Sequence, residues 1–181
     1  MLRFACVSLL AWGMATSAAS ADFSVHTWDR IELGPDVQDA RWNVVFGPRF
    51  GALFGNEWVD DSFVGVGPTV SLRSTELQDL RASGGLSLLL SRGGSNDALP
   101  WQLRLDLERG VSTAVDGPFM VATAEVGVGC PLRHFGIYRH RIGGGMMVSY
   151  LEYLEQDERQ LVVGFSVQSL GALIAPLFIQ P

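Results

Sequence analysis

Pro100 to Glu108 reads Pro-Trp-Gln-Leu-Arg-Leu-Asp-Leu-Glu, and this run decides the fold class. Successive side chains on a strand leave opposite faces, so Trp101, Leu103, Leu105 and Leu107 share one face and Gln102, Arg104, Asp106 and Glu108 the other. One face is wholly apolar. The other carries both signs of charge at neighbouring positions, which is unusual for a strand face that merely meets water.

The same period recurs on both sides of this run. In Trp42 to Phe54, Trp42, Val44, Phe46, Pro48, Phe50, Ala52 and Phe54 alternate with a mixed set that includes Arg49. Phe63 to Arg73 sets Val64, Val66, Pro68, Val70 and Leu72 against Gly65, Gly67, Thr69, Ser71 and Arg73. Arg81 to Ser91, Phe119 to Cys130 and Arg159 to Gln168 alternate in the same way. Ile142 to Tyr150 is less regular behind Gly143-Gly144-Gly145, and Gly171 to Ile179 is apolar without a readable phase. The links carry turn chemistry, as in Gly55-Asn56, Asp60-Asp61, Gly93-Gly94-Ser95-Asn96-Asp97, Asp116-Gly117-Pro118 and Gln156-Asp157-Glu158. Strands joined by short turns, with no helical period between them, pair antiparallel with their neighbours. The expectation is an all-β chain: a single closed antiparallel up-and-down β-barrel of about eight strands.

Met1 to Ala21 has the form of a cleaved signal peptide. Arg3 precedes a mostly apolar run, and Ala19-Ser20-Ala21 offers small residues at a cleavage site. Residues 22–40 are then expected to be an acidic lead-in, with a short strand at Ser24 to Ile31, and residues 41–181 the barrel domain. Cleavage leaves Cys130 as the one thiol, expected to be buried. All 13 basic residues are arginine, a side chain whose planar fork suits interior ion pairs. The formal charge of −6 argues against a nucleic-acid partner.

A soluble barrel and a membrane barrel share this periodicity and differ in which face looks inward. The polar faces are rich in Gly, Ser and Thr, which fit a narrow, strongly bent interior. Arg49, Arg73, Arg104, Asp106, Glu108 and Glu125 are the candidates for a paired network filling that interior. A barrel of eight strands leaves room for side chains and not for an aqueous channel. Trp42, Trp58, Phe63, Trp101, Phe119, Tyr150 and Tyr153 lie near strand ends, as the aromatic girdles of a membrane barrel do.

Over about Arg41 to Phe178 the chain resembles the small eight-stranded outer-membrane barrels of Gram-negative bacteria, through its strand pattern and not through a specific motif. It departs from them at the C-terminus, where Leu177-Phe178-Ile179-Gln180-Pro181 lacks a terminal aromatic, and in having no long loop. The resemblance implies a bacterial outer-membrane protein with a structural or envelope-binding role. Its implied partners are membrane lipids, including lipopolysaccharide, and the outer-membrane assembly machinery during biogenesis. Two alternatives remain: a soluble periplasmic, lipocalin-like barrel holding an apolar ligand, and an envelope enzyme that modifies lipids.

No catalytic, metal or cofactor constellation stands out. His26, His134 and His140 have no ligand spacing and are expected in loops or at the interface. His140 and Ser149, if on one strand, would stand about 30 Å apart. Ser149 is expected to fill the interior. Arg133, Arg139 and Arg141 form a basic cluster that could meet lipid phosphates at headgroup level.

Overall fold

A computed structural model of the protein describes residues 22–35, 44–58, 61–75, 79–93, 100–133 and 138–168. Eight strands, β1 (Asp22–Pro35), β2 (Val44–Glu57), β3 (Phe63–Thr75), β4 (Asp79–Arg92), β5 (Trp101–Ser112), β6 (Pro118–Arg133), β7 (Tyr138–Tyr153) and β8 (Arg159–Gln168), close into one antiparallel barrel in chain order. The expected fold class holds. The first residue of β1 and the last residues of β2, β4 and β6 lie at one end, the N-terminal end; the last residues of β1, β3, β5 and β7 lie at the opposite end.

The eight strands are not quite the eight that the sequence pattern suggested. Residues 22–35, expected as part of a lead-in with a short strand at Ser24 to Ile31, form the whole of β1, which pairs with β2 along its length and with β8 at Arg30 to Leu33. The ring therefore closes through this N-terminal segment, and the boundary expected at residue 41 falls inside the barrel. The weak candidate Gly171 to Ile179 lies outside the described residues, as do the proposed leader, Trp42 and His134. β7 starts earlier than expected, at Tyr138, so Arg139, His140 and Arg141 belong to a strand and not to a loop.

Among the described residues β1 and β8 share four register pairs, Arg30–Gln168 to Leu33–Phe165, and Val25 to Thr27 meet Tyr138 to His140 of β7 in parallel. β6 and β7, by contrast, stay in register from Phe119–Tyr153 to Arg133–Arg139.

Glycines make room for the large inward side chains. A Cβ on Gly51 would stand 2.6 Å from the Trp28 ring, and one on Gly65 would stand 2.3 Å from the Phe63 ring. The Trp28 ring packs over Gly51 on the neighbouring strand, and the Phe63 ring packs over Gly65 two residues along its own strand, because neither glycine has a side chain in the way. At Gly47, Gly67 and Gly85 a Cβ would instead meet the backbone of the neighbouring strand, so the glycine-rich polar faces also reflect close strand approach.

Candidate functional site: the charged lumen and the apolar wall

The inward face of β5 is Gln102, Arg104, Asp106 and Glu108, and all four are buried; Arg104 has no exposed surface at all. The outward face is the apolar one, with Leu105 43% and Leu107 55% exposed. The partition is thus inverted relative to a soluble protein: charge inside, hydrocarbon outside. A lipocalin-like barrel requires the opposite orientation, with Leu105 inside and Asp106 in water, and the structure contradicts that arrangement.

The centre of the lumen is built around Arg49. Its guanidinium reaches Glu32 Oε1 at 2.8 Å, Asp106 Oδ2 at 2.6 Å and Glu108 Oε1 at 3.1 Å. Arg73 holds the other oxygen of Glu32 at 3.1 Å and donates to Thr123 Oγ1 at 3.2 Å. Ser71 and Ser83 donate to Glu108 Oε2 at 2.8 and 2.7 Å. Thr123 and Ser149 share a hydrogen bond of 2.7 Å, which brings in β7. Three carboxylates and two guanidiniums from β1, β2, β3 and β5 therefore interlock in a buried cluster, with the hydroxyls of Ser71, Ser83 and Thr123 adding further hydrogen bonds. Ion pairs stripped of solvent persist only when each charge is matched and hydrogen-bonded.

A second layer lies toward the N-terminal end. Arg104 stacks over the Trp28 ring at 4.0 Å, a cation–π contact in a dry site. Its register partner across the ladder is Glu125, as the spacing of the two strands suggested, and Gln102 and Gln168 both donate to Glu125 Oε1 at 3.1 Å. Beyond it, His26 is fully buried and stacked on Phe63 at 3.7 Å. Arg141 Nη1 approaches His26 Nδ1 at 3.1 Å, and His26 Nε2 lies 3.7 Å from Glu57. At the opposite end, Arg81 binds Asp79 at 2.5 Å and Gln160, and sits over Tyr153. Apolar side chains fill the gaps between these layers: Trp28, Leu53, Phe63 and Leu89; Val45, Met147 and Val162; Phe119, Val121, Leu151 and Tyr153.

All six residues expected in the interior network are there, and four of them (Arg49, Arg73, Asp106, Glu108) meet at one point. Glu32, His26, Asp79, Arg81 and Arg141 are further members that sequence reasoning did not include. Three expectations need correction. Arg141 cannot meet lipid phosphate, because it is fully buried and donates to Gly129 O at 3.2 Å. Of Arg133 and Arg139 only the backbone is described; they are register partners on β6 and β7, and their side chains lie outside the described residues, as do those of Cys130 and His140. His26 is an interior residue and not a loop residue. Phe63, Phe119 and Tyr153 are buried inside the barrel and do not join a girdle, whereas Trp101 and Tyr150 do face outward. The parity of the strands explains this: Phe63 is in phase with Gly65 and Thr69, and Phe119 with Thr123 and Glu125.

The outer wall is best read as rows along the ladder. One row runs Val64, Leu90, Leu103, Val126, Met146, Phe165. The next is Val66, Leu88, Leu105, Ala124, Val148, Val163, and the next Pro68, Leu86, Leu107, Ala122, Tyr150, Leu161. From β3 to β8 these three rows contain no charged side chain. The charges return only at the margins: Arg92 beside Trp101 on one side, and Arg109, Glu152 and Arg159 on the other.

His26 Nδ1 faces Arg141 and its Nε2 faces Glu57, and Ser149 shares a hydrogen bond with Thr123. Among the described residues no group of three His, Cys, Asp or Glu side chains could hold a metal ion. The chain matches no family model, no curated protein and no solved structure.

Proposed function

We propose that this chain is an integral β-barrel of the bacterial outer membrane, with a structural or envelope-binding role and a lumen plugged by ion pairs. The observation that supports it above all is the charge-free band of three outward rows, set against a lumen that holds Arg49, Arg104, Arg141, Glu125 and Glu108 out of reach of water. A sheet can cross hydrocarbon only when it is closed, because an open edge leaves backbone groups unpaired, and this sheet is closed. Strands of 10 to 16 residues are long enough for a tilted crossing, which takes about 9–11. In water the same surface would expose Leu86, Leu107, Val126, Met146 and Phe165 side by side, an apolar patch far beyond what monomeric soluble proteins carry.

The partners in this reading are membrane lipids, lipopolysaccharide among them, and the assembly machinery that inserts the chain; the plug makes it a wall and not a channel. Envelope fractionation tests it. The mature chain is expected in the outer-membrane fraction, with a folded form that migrates differently from the boiled form on a denaturing gel. Recovery in the soluble fraction, with no shift on boiling, contradicts it.

A further inference from the structure

We propose that Arg92 and Arg109 each hold a lipid phosphate, one in either leaflet, and so set the depth at which the barrel sits. This rests on the membrane reading above and adds its headgroup partners. Five arginines with described side chains, Arg49, Arg73, Arg81, Arg104 and Arg141, point inward and are buried. Arg92 and Arg109 break that rule. They occupy the outward phase of β4 and β5, both are exposed, and neither has an ion pair or hydrogen bond among the described residues. Among the described side chains the third outward arginine, Arg159, already faces Glu152 at 3.6 Å and Asp157 at 3.4 Å.

Their placement is what suggests the ligand. Arg92 is the register partner of Trp101 at the N-terminal margin of the charge-free rows. Arg109 lies eight steps further along β5 from Trp101, past Leu103, Leu105 and Leu107. Eight steps extend about 26 Å along a strand, or about 20 Å along the membrane normal at the ~40° tilt usual in such barrels. Long arginine side chains lean outward and carry their charge to the interface, which brings the two guanidiniums to the edges of an apolar band about 25 Å tall. By register the nearest outward carboxylate to Arg109 is Glu152, two strands away across Met120, and Arg159 occupies it. An unmatched guanidinium at that level presents forked donors to phosphate, the anion that a bilayer supplies at that depth.

The test uses protein carrying 13C at the arginine Cζ positions, folded into vesicles of phosphatidylcholine and phosphatidylglycerol, with solid-state measurement of 13C–31P dephasing. Arg92→Gln and Arg109→Gln are each expected to remove one dephased guanidinium signal from the wild-type spectrum, and the double variant both. A nitroxide at Leu105 gives a second reading: its depth should shift toward one surface in either single variant. Unchanged dephasing and unchanged depth in both variants would overturn the assignment of these arginines. A wild-type chain that never becomes protease-protected or heat-modifiable in the vesicles overturns the membrane reading instead, so the two failures are distinguishable.

Discussion

Leu105 and Asp106 are consecutive residues of β5, yet the first has nearly half of its surface exposed and the second almost none. The contrast extends around the barrel at that height. Outside, Leu88, Leu105, Ala124, Val148 and Val163 form an unbroken apolar row. Inside, Ser87, Asp106, Thr123 and Ser149 form the row beside it, and Arg49 crosses the lumen to reach Asp106 from β2. The two surfaces are stabilised by opposite means. The wall is non-directional and tolerates any apolar shape, whereas the lumen depends on each charge meeting a partner. Substitutions on the two sides should therefore fail in different ways.

The largest effect is expected at Arg49. Arg49→Met leaves Glu32, Asp106 and Glu108 crowded in a dry interior with Arg73 as the remaining central cation. Breaking a buried ion pair from one side costs about 3–5 kcal/mol, read as a fall in the urea midpoint of the folded, vesicle-bound barrel. A loss under 1 kcal/mol would mean that the central cluster is hydrated and adjustable. Leu105→Arg comes next. If the row meets hydrocarbon, the charge costs about 2–4 kcal/mol near mid-depth, and Leu105→Thr should be much milder. Equal unfolding midpoints for the two variants would place Leu105 in water.

Gly51→Ala probes the packed part of the lumen. The added methyl collides with the buried Trp28 ring under Arg104, and overpacking of this kind costs about 1–3 kcal/mol. Trp28 fluorescence should shift in the same variant. The smallest change is expected from Ser87→Ala. The Ser87 hydroxyl is buried and makes no hydrogen bond among the described residues, so its removal should be neutral or slightly stabilising in the same unfolding assay, since a hydroxyl without a partner costs desolvation and returns nothing.

The wall was more legible in the sequence than the lumen. Period-two alternation in Trp101 to Glu108 and in Phe63 to Arg73 places every outward and inward residue of those segments correctly. A face is a local property, set by backbone geometry and one residue's chemistry. The meeting of Arg49 with Asp106, 57 residues away, depends on ring closure and on how far each side chain reaches across the lumen, and no local pattern carries that. β1 was legible only in part, as a short strand at Ser24 to Ile31, for a different reason. Its inward residues Ser24, His26, Trp28 and Glu32 do alternate with Phe23, Val25, Ile31 and Leu33, but Thr27 and Asp29 interrupt the apolar phase and the flanking acids mimic a solvated segment. The girdle expectation erred by using position near a turn without parity. In phase, Phe63 belongs with Thr69 and Arg73, inside. Arg141 likewise shares its phase with Met147 and Ser149, and a strand beginning at Tyr138 is all that was needed to place it in the lumen.

The central claim is that the outward leucines of β5 meet hydrocarbon. Nitroxide labels at Leu105 and, at the opposite margin, at Thr113 test it directly in the folded barrel reconstituted in phospholipid vesicles. The account predicts a Leu105 label relaxed by dissolved oxygen and shielded from a water-soluble nickel chelate, with the reverse at Thr113. A Leu105 label as open to the chelate as the Thr113 label contradicts it.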